Sequence, residues 1–127
     1  MRATSTAAIA PAERSVTVSK AVSRAAGLLG LGNAALARTI GVSPATASRL
    51  RGGSYVLEPS TKPYELALLL IRLFRSLDVI VGGDETSLHS WMETTNRALG
   101  GVPRELVQTA TGLVAAVDYV DAARARI

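Results

Sequence analysis

Apolar residues in this chain recur at intervals of three and four, the period of a helix rather than a strand. Val22, Ala25, Ala26 and Leu29 form one such stripe and predict a helix from Ser19 to Leu29, ended at Gly30. Leu36, Ala37 and Ile40 predict a second helix, and Ala47 with Leu50 a third. From Lys62 to about Val81 the stripe is broader. Leu66, Leu69, Leu70, Leu73, Leu77 and Ile80 line one face, and Leu68, Ile71 and Phe74 extend it sideways. A helix this apolar is buried on more than one side: it bridges the two halves of the chain and pairs with a second copy, or it is an intrachain core helix and nothing more. Leu88, Trp91 and Met92 mark a further helix after Asp84, fading at Thr94-Thr95-Asn96. Pro103 opens a short helix to about Ala110, and a last one starts near Gly112 with Leu113, Val117 and Val120 facing inward. No segment alternates over a strand length, so the fold class is all-α.

The turn chemistry between residues 33 and 50 narrows this reading. Gly41 ends the second helix where the chain must turn through a left-handed conformation. Val42 fills the angle, Ser43 suits the N-cap, and Pro44 suits the first position of the next helix. Gly32 stands where a helix cap is usual, and Asn33 is the alternative cap. This order of residues is that of a helix-turn-helix whose second helix enters the DNA major groove. Ser43, Ala45, Thr46, Ser48 and Arg49 are left outward, with Arg49 the candidate for gripping guanine and the others for phosphates or thymine methyls. Asn33, Arg51, Arg38 and Lys20 are further candidates beside them, Arg51, Arg38 and Lys20 toward phosphates, with plain solvation as the rival role.

Charge supports that assignment. The 127-residue chain is net +4, but residues 1–60 hold seven basic and two acidic groups and residues 61–127 seven and eight. The excess of cations therefore accompanies the helix-turn-helix, as phosphate contact requires. Cysteine is absent, which removes disulfides and thiolate metal sites and fits a cytoplasmic location. No apolar run is long enough to span a bilayer. His89 is the lone histidine, and no nucleophile stands beside a base, so neither a metal, a cofactor nor an enzyme is expected. The Gly30-x-Gly32-x-x-Ala35 spacing lacks the preceding strand that a dinucleotide site needs. The chain divides into a mobile tail (1–18), a helix-turn-helix with its linker (19–61), and a small helical domain (62–127).

In the last of these, Trp91-Met92, Asn96-Arg97-Ala98-Leu99-Gly100-Gly101, Pro103, Leu106, Thr109 and Gly112 fall in one order. That series resembles the toxin-binding domain of the Xre/MbcA/ParS antitoxins, which join it to a helix-turn-helix. Thr95 departs from the proline usual before the asparagine. The resemblance implies a RES-domain toxin that consumes NAD as protein partner, operator DNA as second partner, and self-association. It implies toxin contact by Trp91, Asn96, Arg97, Leu99, Gly100, Gly101, Asp121, Arg124, Arg126 and the Ile127 carboxylate. Read from the residues alone, Trp91 is equally a core plug, Asn96 a turn former, Asp121 with Arg124 a surface pair along one helix, and the terminus a frayed end. A free-standing dimeric helix-turn-helix repressor, and a protein-binding scaffold without DNA, are the other classes compatible with the sequence.

Overall fold

A computed structural model of the chain describes residues 10–127. Among the described residues there are seven helices and no strand: α1 (Pro11–Leu28), α2 (Asn33–Ile40), α3 (Pro44–Gly52), α4 (Lys62–Ile80), α5 (Glu85–Glu93), α6 (Pro103–Leu106) and α7 (Ala110–Arg124). α4 is the hub, with α1 and α2 packed against it from the N-terminal half and α7 from the C-terminal half. α3 packs on α2 and α1, and α5 and α6 pack on each other. A single aliphatic core runs through both halves, from Val22 and Leu36 through Leu70, Leu73 and Leu77 to Leu113 and Val117.

The first helix begins eight residues before the predicted start. Residues 11–18, read from sequence as tail, are helical; residues 1–9 of that tail lie outside the described residues. The inward stripe of α1 is continued toward its start by Ser15 and Ser19, both buried. An apolar pattern cannot register serines. Ser19 is used there as a bond acceptor: its hydroxyl takes the Leu57 backbone N–H at 2.9 Å and ties the linker to α1. Pro11 supplies a helix start, and the Glu13 carboxylate accepts the Ala10 N–H at 3.2 Å.

The last two helices also divide differently. α6 ends at Leu106, and α7 begins at Ala110, two residues before Gly112. Thr109 makes the break, because its hydroxyl accepts the Gly112 N–H at 3.0 Å as an N-cap. Asp84 and Thr61 cap α5 and α4 in the same way. Leu68, expected to widen the buried surface of α4, is instead 44% exposed.

Candidate functional site

The segment around Gly41 folds as its residues require. Gly41 has φ of 78°, Ser43 accepts the Thr46 N–H at 3.1 Å, and Pro44 opens α3. Ala47 and Leu50 are buried against α1 and α2, which turns the opposite side of α3 outward. That side carries a chain of hydrogen bonds. Ser43 Oγ donates to Thr46 Oγ1 at 3.0 Å, and the Arg49 guanidinium donates to the same Thr46 oxygen at 3.1 Å. Ala45, Ser48 and Arg49 are exposed and Thr46 is half-buried. Five of the seven residues predicted to meet DNA therefore share one surface.

The other two are brought together elsewhere. Arg51 donates to the Leu31 carbonyl at 2.6 Å and to Asn33 Oδ1 at 3.3 Å. Its guanidinium braces the loop between α1 and α2. Asn33 is the first residue of α2, with Gly32 at the N-cap, so Asn33 does not cap the helix as proposed from sequence. Arg38, on α2, donates to Gln108 Oε1 at 2.6 Å across 70 residues of chain. This bond crosses an open cleft of about 670 Å³ between α2 and α6, lined also by Arg104 and Glu105. Arg104 reaches further, to Glu93 of α5, as an ion pair at 3.5 Å. Neither Arg104 nor Gln108 is signalled in the sequence, because the partners of both are set by packing.

In the C-terminal half, Asn96 is a turn former. Its side chain accepts the Leu99 N–H at 3.0 Å, and its backbone pairs with Gly101 as an isolated bridge. Leu99, Gly100 and Gly101 complete that loop, with Arg97 exposed on it. Trp91 is half-buried on α5 and edges a shallow apolar pocket of about 320 Å³ with Val81, Ser87, Ser90 and Thr94.

Asp121 and Arg124 do not form the pair predicted along α7. Asp121 bonds α4 instead, accepting from Ser76 Oγ at 2.7 Å and pairing with Arg72 at 2.6 Å, while Arg124 donates to Ser76 Oγ at 3.4 Å. These groups line a second cleft, separate from the Trp91 pocket. Arg126 and Ile127 follow the end of α7, with Ile127 78% exposed.

The Ser76 hydrogen bond is the main force holding the Asp121 carboxyl below its ordinary value of 3.8; partial burial opposes it, and Arg72 and Arg124 add to it. A carboxyl depressed in the folded state stabilises the fold above its unfolded value and loses that contribution as pH falls through the folded one. The stability difference between the wild type and Asp121→Asn is therefore expected to be full at about pH 6 and to shrink below about pH 4. Urea unfolding across that range measures it; a difference that stays constant down to about pH 3 rules the linkage out.

Among the described residues no group of histidine, cysteine or carboxylate side chains is placed to hold a metal, and no helix is long and apolar enough to cross a membrane. Comparison with protein families finds that residues 7–72 match the antitoxin Xre-like helix-turn-helix domain. Residues 76–126 match the antitoxin Xre/MbcA/ParS C-terminal toxin-binding domain. No curated protein matches the chain.

Proposed function

The chain belongs to the Xre/MbcA/ParS antitoxin family, and from that premise we propose that it neutralises a RES-type, NAD-degrading toxin and represses its own operon. The observation that carries this reading is the presence, in one chain and in this order, of a helix-turn-helix and a toxin-binding domain. The protein is read as a non-enzymatic regulator, acting in the cytoplasm.

On the DNA side, α3 enters the major groove. Arg49 reads a base edge, and Ser43, Thr46 and Ser48 meet the adjoining backbone. Ala45 offers its methyl to thymine. The chain binds as a multimer, since one module of this kind gives limited affinity and half-sites come in pairs. Toward the toxin, the segment after α7, residues 125–127, is the blocking element. Arg126 and Ile127 are exposed beyond the last helical residue, Arg124, where they can enter a cleft shaped for a charged dinucleotide. Trp91 supplies an aromatic edge for the remaining interface, beside the Asn96–Gly101 loop with Arg97.

The test is a tagged full-length chain expressed with the neighbouring genes of its native locus. Recovery of a RES-type protein whose NAD-degrading activity appears only when the chain is stripped away supports the reading. Recovery of the chain with DNA alone favours a free-standing repressor. Deleting residues 125–127 leaves α7 entire and is expected to spare operator binding while lowering neutralisation at least tenfold. Full rescue of toxin-expressing cells by the truncated chain would refute the blocking role of the terminus.

A further inference from the structure

One side of α4 is left uncovered by α1, α2 and α7. Glu65, Leu68, Arg72, Arg75 and Val79 are all exposed and lie at intervals of three, four, three and four. Those are the intervals of a coiled-coil seam, the a and d positions through which one helix meets another. Leu68 and Val79 are 44% and 47% exposed, large apolar groups only partly covered by the described residues.

The charges along this seam are ordered. The acid stands near the start of α4 and the two arginines follow it. A parallel second helix would set Glu65 against Glu65 and arginine against arginine. An antiparallel one, centred between Leu68 and Arg72, sets Glu65 against Arg75 of the second copy at both ends. In the same register Leu68 lies against the aliphatic stem of Arg72 of that copy. Antiparallel seams pair a with d in each layer, and this register does so from Glu65 to Arg75; Val79 lies beyond these layers, opposite the Thr61 N-cap of that copy.

The surroundings favour the exchange. Beside the seam, Leu68, Arg72, Arg75, Asp121 and Arg124 line a cleft of about 380 Å³ between α4 and α7. Asp121 is already occupied by Arg72 and Ser76. Arg75 has no ion-pair partner among the described residues, and three guanidinium groups against one carboxylate leave the cleft positive. That excess stands out in a half of the chain where acidic residues outnumber basic ones by one. Among the described residues Glu65 is ion-paired with Lys62 alone, an exposed contact at 3.2 Å that is weak and readily exchanged.

We propose that the chain self-associates by antiparallel pairing of α4 with α4 of a second copy, through reciprocal Glu65–Arg75 ion pairs around a Leu68–Arg72 centre. This deepens the reading of the chain as a multimer and rests on it only for its use at paired half-sites; the contact itself is tested without DNA or toxin.

The experiment is sedimentation equilibrium of the full chain with E65R, R75E and the E65R/R75E double variant, each checked for helicity by circular dichroism. The wild type is expected to dimerise, each single reversal to weaken dimerisation about tenfold by creating two like-charge contacts, and the double variant to recover it. Should a reversal unfold the chain, Leu68→Lys at the centre of the seam probes the same contact. A monomeric wild type, single variants that dimerise as the wild type does, or a double variant that fails to recover each overturns the proposal. A monomer that still binds its operator would overturn this contact and leave the antitoxin reading standing.

Discussion

Replacing Gly112 with alanine is expected to lower the melting temperature by roughly 10 °C or more and to abolish toxin binding. Gly112 lies in the first turn of α7, where the helix passes over the end of α6. A Cβ at this position would clash with the Leu106 carbonyl oxygen and stand 2.7 Å from its carbon. The obstacle is backbone, so no rotamer change relieves it. That carbonyl also accepts the Thr109 N–H and hydroxyl, both at 3.3 Å, and Thr109 in turn caps α7. Moving α6 aside breaks this arrangement, and moving α7 aside opens the contact with α4, the largest between any two helices. Overpacking a side-chain core costs about 1–3 kcal/mol, and a rigid backbone neighbour puts this change at or above the upper end. Thermal unfolding followed by circular dichroism measures the effect. Gly52→Ala is the control. Beyond its own helix turn and chain neighbours, no atom of the described residues lies within 4 Å of its added methyl, so it is expected to be neutral or to stabilise by about 0.5 kcal/mol. Equal melting of Gly112→Ala and the wild type would show that the two helices do not approach this closely.

The second large effect separates two arginines that are two residues apart in sequence. Arg49→Ala is expected to reduce specific operator affinity by tenfold to a hundredfold, corresponding to about 1–3 kcal/mol for one bidentate base contact, while binding to unrelated duplex changes far less. The hydrogen bonds through Thr46 to Ser43 hold the Arg49 side chain against α3 before DNA arrives, which reduces the ordering cost of the contact. Arg51→Ala is expected to behave otherwise. Its guanidinium is engaged by the Leu31 carbonyl and Asn33, so its loss destabilises the fold by about 1–2 kcal/mol and leaves the salt dependence of DNA binding nearly unchanged. A phosphate contact would instead lower the salt slope by about one. Fluorescence anisotropy on operator and scrambled duplexes at several salt concentrations, with thermal melts, tells the two apart. A reduced slope for Arg51→Ala with unchanged stability would return Arg51 to the DNA surface.

Such differences between neighbouring arginines mark the boundary of what the chain's local pattern can say. The turn at Gly41, the Ser43 cap, the proline start of α3 and the inward Ala47 and Leu50 are legible because each depends on residues within one or two turns of itself. The breadth of the α4 stripe likewise foretells a helix packed from both halves. The stripe of α1 is only half legible: its upper part is apolar, while its lower part is built from Ser15 and Ser19, whose burial depends on what packs over them and, for Ser19, on a distant backbone N–H.

By itself, then, the sequence determined the helical class, the helix-turn-helix, the outward side of α3 and the family resemblance, all of which follow from side-chain period and short-range capping. Tertiary structure decided the rest. Asp121 and Arg124 are three residues apart, yet they are joined through Ser76 and Arg72 of another helix. Arg38 and Gln108 meet across 70 residues, and Arg51 is drawn inward to Leu31 and Asn33. A long polar side chain takes whichever partner packing brings within reach, and that partner is set by the relative placement of whole helices rather than by spacing along any one of them.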